Sequence, residues 1–284
     1  MILCGDITGK AVVFIVKKAD GTYWANFLGN QYALQHDKEM LTLKKQIDDC
    51  GYYTYICSQE ELDDLNGSRS KQDSVLLDLI QQRTKEWVVE AESRLATSGV
   101  ELYVLPGNDD PLIIDEAIKS SFVVNPEGRV LEIADGHEMI ATGYTNMTPW
   151  KAPRDIEDED LRKRIASMAS QLKHPKSAVF ALHAPPFGTN LDMAPTLDAT
   201  FRPKTIAGGV VEIGHVGSKA VRELVQEYQP LLGLHGHVHE AKAVNKIGRT
   251  LCFNAGSEYE SGTLRGALIS MSMEKVENYI LTAG

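Results

Sequence analysis

The sequence predicts a fold of the α/β class, in which short apolar strands alternate with amphipathic helices. Apolar residues recur at helical spacing between the strand-like segments. Strands that share a sheet and end in polar residues gather those residues at one rim, where α/β sheets bind their ligands. Five apolar runs end in this way: ILC before Gly5-Asp6, LYVLP before Gly107-Asn108, AVFAL before His183, PLLGL before His235, and LCF before Asn254.

The amino-terminal stretch MILCGDITGK predicts a short buried strand over residues 2–4 that carries Asp6 at its end. A phosphate-binding loop fails on spacing, because the pattern needs a glycine five positions before Gly9, where Cys4 stands. The dipeptide Asp20-Gly21 then favours a tight turn between two strands.

The remaining elements are predicted from periodicity and capping signals. Ser58 with Glu61 three residues later has the pattern of a capping box, which begins a short helix. The elements expected along the chain are a helix that ends at Gly51, the strand YYTYIC, helices over residues 71–98, 157–173 and 217–229, and hairpin strands around Asn125-Pro126-Glu127-Gly128 within residues 120–145.

Composition narrows the class of protein. Twenty-nine basic and 39 acidic residues give a net charge of −10, which argues against broad non-specific binding to nucleic acid or to anionic membranes. The four cysteines show no CxxC spacing, so we expect reduced thiols. Neither a membrane span nor a signal-peptide pattern is evident, and the predicted compartment is the cytoplasm.

The polar residues after the apolar runs have the chemistry of metal ligands. One aspartate, one asparagine and three histidines supply oxygen and imidazole donors that suit Mn, Zn, Fe or similar divalent ions. A lone histidine is more often a satisfied core or loop residue. His183, His237 and His239 differ from the other histidines because each stands at the end of an apolar run.

These residues carry a resemblance to a known family. GD at positions 5–6, GND at 107–109, His183 followed by APP, and GHVH at 236–239 resemble the second to fifth motifs of the calcineurin-like metallophosphoesterases. The first motif of that family, Asp-x-His, is not in the chain, and we expect it in coding sequence upstream of Met1. The resemblance implies a two-sheet β sandwich flanked by helices, with its first strand absent here, and a dimetal centre that hydrolyses phosphoesters.

The resemblance also implies individual roles. Asp6 would bridge both metals, Asn108, His183 and His237 would complete one metal site, and His239 would bind the second metal. The centre would then be dinuclear only in the complete protein, with Mn, Fe or Zn, and the truncated chain could be inactive.

Asp109 departs from the family pattern, because many members place a proton-donating histidine there. An aspartate beside two cations stays ionised and is a poor acid. This departure favours phosphodiesters, with an activated or metal-bound leaving group as the alternative explanation. The candidate catalytic residues are Asp6, as the bridging ligand, and Asp109, at the position of the family's proton donor.

Three basic side chains are candidates for substrate contact, since they can meet phosphate oxygens. They are Arg202, Lys204 and Arg265, and an ordinary solvated loop is the alternative for each. The whole chain, residues 1–284, is expected to form a single domain with an insertion at about 17–70 that caps the site or makes a dimer contact.

The sequence therefore predicts a metal-dependent phosphoester hydrolase that uses a metal-activated hydroxide, with phosphodiesters favoured over phosphomonoesters. The competing hypothesis is a non-catalytic scaffold on the same fold. The expected partner is a small phosphoester, with no membrane partner and no nucleic acid unless it is cleaved as substrate. A homo-oligomer is a further possibility.

Overall fold

The computed structural model describes residues 1–284 apart from the side chain of residue 260. The chain divides into two compact units. The larger unit contains Met1–Ile7, Arg94–Glu258 and Thr263–Gly284, and the smaller unit contains Thr8–Ser93 and Tyr259–Gly262.

The fold is mixed α/β. The strands are β1 (Ile2–Cys4), β2 (Val12–Lys17), β3 (Tyr23–Phe27), β4 (Asn30–Leu34), β5 (Tyr53–Cys57), β6 (Leu102–Leu105), β7 (Val123–Val124), β8 (Val130–Glu132), β9 (Glu138–Thr142), β10 (Thr145–Asn146), β11 (Asp155–Ile156), β12 (Val179–Leu182), β13 (Met193–Pro195), β14 (Ile213–His215), β15 (Leu232–His235), β16 (Ala243–Ile247), β17 (Thr250–Asn254), β18 (Arg265–Met271) and β19 (Val276–Ala283). The α-helices are α1 (Asp37–Asp49), α2 (Gln59–Asn66), α3 (Arg69–Leu95), α4 (Ile114–Ala117), α5 (Asp158–Ala169) and α6 (Lys219–Tyr228), and short 3-10 helices lie at Ala134–Gly136, Pro175–Ser177 and Tyr259–Ser261.

A six-stranded sheet in the order β16-β17-β15-β12-β9-β8 forms the centre of the larger unit. Its four inner strands run parallel, and β16 and β8 pair antiparallel at its two edges. Every residue of β12 is buried, as expected for a parallel strand that is covered on both faces.

A second layer covers one face of this sheet. It contains the parallel three-stranded sheet β1-β6-β7 and the antiparallel pair β18-β19. The core between the layers combines Tyr103 and Leu105 of β6 with Met139, Ala141, Val179, Ala181, Leu232 and Phe253 of the six-stranded sheet, and Ile2, Ile269 and Leu281 pack against it. The predicted two-layer sandwich is therefore confirmed.

Helices α5 and α6 cover the opposite face of the six-stranded sheet. Leu161 and Ile165 of α5 lie one turn apart and pack into one apolar cluster with Val221 and Leu224 of α6 and with Phe180 of β12. Each such fully buried aliphatic side chain contributes about 1.5–3 kcal/mol. Ser218 begins α6, since its hydroxyl accepts a hydrogen bond from the Val221 N–H at 3.0 Å.

The smaller unit contains a four-stranded sheet in the order β4-β3-β2-β5 together with helix α1. The predicted hairpin at Asp20-Gly21 joins β2 and β3, and Met40, Leu43 and Ile47 of α1 pack on this sheet. The unit includes the whole segment 17–70, and its assignment as an insertion into a single domain stays a prediction.

Two details differ from the sequence-based expectations. β7 and β8 do not form a hairpin around residues 125–128, because β7 pairs with β6 while β8 pairs with β9 in the other sheet. β1 is expected to be buried, but it is only half-buried, because it lies at the edge of its three-stranded sheet. Within the described part of the chain, no helix is both long enough and apolar enough to cross a membrane.

Candidate metal centre

Four predicted ligands meet at one rim of the larger unit. Asp6 and Asn108 follow β1 and β6, while His183 and His237 follow β12 and β15. One ligand atom from each of Asp6, His183 and His237 lies within 4.8 Å of the others. The Asn108 Oδ1 atom is 3.2 Å from His183 Nε2 and 2.9 Å from His237 Nδ1.

The loops that carry Asp6 and Asn108 approach their neighbours closely because a glycine precedes each ligand. A Cβ atom on Gly5 would lie 2.3 Å from His183 Nδ1, and one on Gly107 would lie 2.2 Å from the Asp6 nitrogen. Gly5 also has a φ of 103°, a conformation that residues with a Cβ rarely adopt.

The orientation of the His183 ring is set by the backbone. Its Nδ1 lies 2.5 Å from the Cys4 carbonyl oxygen, which can only accept, so Nδ1 carries the proton. Its Nε2 then faces Asp6 Oδ2 at 3.1 Å and Asn108 Oδ1 at 3.2 Å.

Asp155 determines which end of the Asn108 amide faces the histidines. The Asn108 Nδ2 group donates to Asp155 Oδ1 at 3.0 Å, which directs Oδ1 of the same amide toward the rim. The backbone N–H groups of Thr148 and Ala152 donate to Asp155 Oδ2 at 3.0 and 2.9 Å, and the Thr145 hydroxyl donates to Oδ1 at 3.1 Å. The carboxylate is thereby fixed on both oxygens.

Asp6 and His237 both have positive φ angles, 52° and 67°. This left-handed conformation costs a residue with a side chain of order 1 kcal/mol or more. The contacts around Asp6 and His237 offset this cost.

The environment raises the pKa of His183 and lowers the pKa of His237. For His183, burial lowers the pKa, but the charge of Asp6 and the hydrogen bonds to Asp6 and Cys4 outweigh it, so the net pKa is raised. For His237, burial lowers the pKa to about 4, with a smaller contribution from the charge of His183. His237 is therefore neutral at neutral pH, with a lone pair available on one ring nitrogen.

This donor set fits a divalent cation. In neutral His183, the lone pair of Nε2 faces the lone pairs of Asp6 Oδ2 and Asn108 Oδ1, and such an arrangement is unfavourable without positive charge between them. A carboxylate, an amide oxygen and two imidazoles suit Mn, Fe or Zn. The hydrogen bonds behind His183 and Asn108 are the outer-shell contacts that typically orient metal ligands.

Asp109 and Asp110 follow Asn108 with different surroundings. Asp109 is exposed, and its backbone N–H donates to Asp6 Oδ1 at 3.1 Å. Asp110 is fully buried, and its Oδ2 accepts from the N–H groups of Ile7 and Gly107 at 3.1 and 2.7 Å, which joins the loops that carry Asp6 and Asn108. Sequence reasoning assigned no role to Asp110 or to Asp155.

His239 is not part of the group of ligand atoms found among the described residues. It is half-buried, and its carbonyl accepts a hydrogen bond from the Ser257 N–H at 3.0 Å. Its assignment to a second metal stays a prediction.

The three predicted substrate contacts lie in two other places. Arg202 and Lys204 are exposed on the segment that links β13 and β14, where their backbone groups bond to Asp198 and Thr196. Arg265 pairs with Glu258 at 2.5 Å and its side chain is only 17% exposed. No contact described in the structure joins these three side chains to the four clustered residues.

Comparison with known proteins gives limited matches. No family model matches the chain. The uncharacterized protein MJ1162 of Methanocaldococcus jannaschii is 28% identical over 159 residues, which cover 55% of this chain and 63% of that protein. The chain thus spans less than two thirds of the length of this curated relative.

Three solved structures are similar at low identity. One crystal structure has a TM-score of 0.52 at 18% identity over 95% of this chain and 97% of that chain, which shows a shared fold alone. TT1561 of Thermus thermophilus has a TM-score of 0.45 at 13% identity, over 65% of this chain and 73% of that chain. The Thermus thermophilus sulfate thiohydrolase SoxB, in complex with glycerol, has a TM-score of 0.35 at 10% identity, over 86% of this chain and 41% of that chain. Neither of these last two TM-scores reaches 0.5, so neither likeness identifies the fold.

Proposed function

We propose that this chain is a metal-dependent phosphoester hydrolase of the calcineurin-like class that its motifs resemble. The observation that carries the proposal is the convergence of a carboxylate, an amide oxygen and two imidazoles at the rim of the sandwich. A divalent cation bound there, Mn, Fe or Zn, would supply positive charge to phosphoryl oxygens and lower the pKa of a coordinated water.

The chain's own residues fix the geometry of this reaction. The Asp109 N–H holds one oxygen of Asp6, which leaves the other directed at His183 Nε2. The Cys4 carbonyl and the Asp155 carboxylate orient His183 and Asn108 from behind. Preorganised ligands of this kind need little rearrangement during reaction, which favours catalysis. We propose that His239 contributes to a second metal.

The substrate class that we propose is a small phosphodiester. Support comes from Asp109, an exposed carboxylate at the position where a proton-donating histidine would assist monoester cleavage. The net charge of −10 further disfavours polyanionic partners unless they are cleaved.

Hydrolysis assays with two nitrophenyl esters test the proposal. Bis(4-nitrophenyl) phosphate and 4-nitrophenyl phosphate are incubated with the chain and added manganese. We expect a higher kcat/KM for the diester. His237→Ala should lower kcat by roughly a thousandfold or more, because it removes a ligand and with it charge stabilisation worth several kcal/mol. His174→Gln, at an exposed histidine, is the control and should retain the parent rate.

The competing function is a scaffold that keeps the fold without catalysis. It is favoured if neither ester, nor further phosphoesters with other divalent metals, is cleaved by this chain. Equal activity of His237→Ala and its parent would show that the proposed metal centre is wrong.

A further inference from the structure

Asp192 is a fully buried carboxylate that organises the segment after His183. It accepts hydrogen bonds from the backbone N–H groups of Gly188, Thr189 and Gly217 at 3.1, 2.9 and 3.0 Å. Its fourth partner is His215, whose Nδ1 lies 2.8 Å from Asp192 Oδ1. The same Asp192 Oδ1 atom already accepts the Thr189 N–H, so His215 Nδ1 donates to it and points inward.

The other ring nitrogen of His215 points away from this carboxylate. Its Nε2 makes no hydrogen bond to any residue that the structure describes, and the side chain is 40% exposed. The ring lies against Phe187, with 5.6 Å between the ring centres. His215 is therefore held in one orientation with one nitrogen available to a ligand, an arrangement that also fixes the histidine in acid–base catalytic pairs.

Residues that follow His215 bond to two segments next to the candidate metal centre. On one side, the Ser218 N–H donates to the Pro185 carbonyl at 2.9 Å, so residues 215–218 run beside the segment that begins at His183. On the other side, the Val216 carbonyl accepts from Asn146 Nδ2 at 3.1 Å, and the neighbouring Thr145 hydroxyl bonds Asp155, which orients Asn108.

Phosphoester cleavage leaves an oxygen that needs a proton unless the leaving group is already a weak base. The clustered side chains are poor donors for this step. Asp109 is a carboxylate at the edge of the site, and the Nδ1 proton of His183 is bonded to the Cys4 carbonyl. His215, whose Nδ1 is held by the buried Asp192 carboxylate, supplies a donor of the required type on a segment that bonds to the loop after His183.

We infer that His215, held by Asp192, is the proton donor to the leaving oxygen of the phosphoester. The inference rests on the proposed function. Hydroxide forms a new bond to phosphorus, the bond from phosphorus to the leaving oxygen breaks, and that oxygen takes the proton from Nε2 of the imidazolium. The neutral imidazole then regains a proton from water, while Asp192 keeps the ring in place through Nδ1.

The experiment compares two diesters that differ in their need for a proton. Bis(4-nitrophenyl) phosphate releases a weakly basic nitrophenolate, whereas diphenyl phosphate releases the more basic phenolate. We expect His215→Gln to lower kcat on diphenyl phosphate at least ~30-fold more than on bis(4-nitrophenyl) phosphate, within the roughly 10²–10⁴ range of general acid catalysis. Added imidazole should restore part of the diphenyl phosphate activity of His215→Gly. His174→Gln is the matched control and should leave both rates unchanged.

The outcomes separate the two proposals. If His215 only braces the loop through Asp192, the variant loses activity equally on both diesters and imidazole restores nothing, which overturns the inference. Full activity of His215→Gln on both diesters overturns it as well. If the parent cleaves neither diester, nor further phosphoesters with other divalent metals, the proposed function fails, and the inference falls with it.

Discussion

Asp155 is the residue on which the orientation of Asn108 depends. In Asp155→Asn, the oxygen of the new amide must face Asn108 to accept its hydrogen bond. The NH₂ group of the new amide then faces the N–H groups of Thr148 and Ala152, and donors face donors. We therefore expect the Asn108 amide to lose its fixed orientation and the affinity for Mn²⁺ to fall roughly 10- to 100-fold, as is typical for outer-shell contacts. Titration calorimetry with Mn²⁺ measures this change directly.

The control for this variant is Glu159→Gln, which removes the same charge at an exposed position four residues away. Its Mn²⁺ affinity should equal that of the parent. An Asp155→Asn affinity that also equals the parent value would show that Asp155 does not position the ligand.

His235 links stability to pH in the metal-free protein. Burial lowers its pKa to about 4, while its Nδ1 donates to the carbonyls of Leu182 and Ala184. Between the ordinary histidine pKa near 6.5 and the folded value, the unfolded chain binds a proton that the folded chain does not. Stability is therefore lost as pH falls through this window, by on the order of 2 kcal/mol from about pH 7 to about pH 5.

His235→Gln isolates this contribution, because glutamine can donate to the same carbonyls but does not titrate. Urea unfolding of both metal-free proteins at pH 7 and pH 5 should give a smaller pH-dependent loss for the variant, whatever its stability at pH 7. Equal losses in the two proteins would contradict the assignment to His235.

At the scale of residues, the clustered side chains could be identified from the sequence, but the groups that orient them could not. Asp6 and His183 can be recognised in the sequence because each follows an apolar run, and strand ends converge in a sheet. Asp155 is 47 positions from Asn108, and no spacing rule connects two loops that meet only in the folded chain. The place of His239 could not be predicted either, because a side chain's direction after a turn depends on backbone angles such as the positive φ of His237.

At the scale of elements, helix α6 illustrates how periodicity determines packing. Leu224 of α6 is 1% exposed and lies in the apolar cluster beneath the six-stranded sheet. We expect Leu224→Ala to lower the free energy of unfolding by about 2–5 kcal/mol through lost burial and an unfilled cavity. Urea denaturation measures the loss.

The matched control is Leu264→Ala, because Leu264 is 75% exposed. Its effect should stay within about 0.5 kcal/mol. Similar losses in both variants would mean that α6 does not pack as described.

Local signals predicted elements better than they predicted pairings. The stop at Gly51 and the Ser58 cap, whose hydroxyl accepts from the Glu61 N–H at 3.1 Å, depend on neighbouring residues and were predicted correctly. The turn sequence at residues 125–128 predicts a hairpin, yet the turn connects two different sheets. A turn sequence fixes a change of direction, whereas the choice of partner strand depends on long-range packing.

At the scale of the whole molecule, the sandwich brings together residues that are far apart in the chain. His183 contacts Asp6 across 177 positions because β1 and β12 lie in different layers of one unit and end at the same rim. The two-layer arrangement followed from the resemblance of four short motifs and not from periodicity, which cannot distinguish one sheet from two. The candidate metal centre therefore depends on the two-layer fold, because only that fold brings its ligands together.

The existence of this metal centre is tested most directly by measuring the metal content after saturation with Mn²⁺ and removal of the free ion. The clustered residues form a single site, so elemental analysis should find about one tightly held Mn²⁺ per chain. Asp6→Asn, His183→Ala and His237→Ala should each retain far less, while His174→Gln should retain the full amount. No bound Mn²⁺, Zn²⁺ or Fe²⁺ in the parent, or equal content in the parent and the three ligand variants, would contradict the metal centre described above.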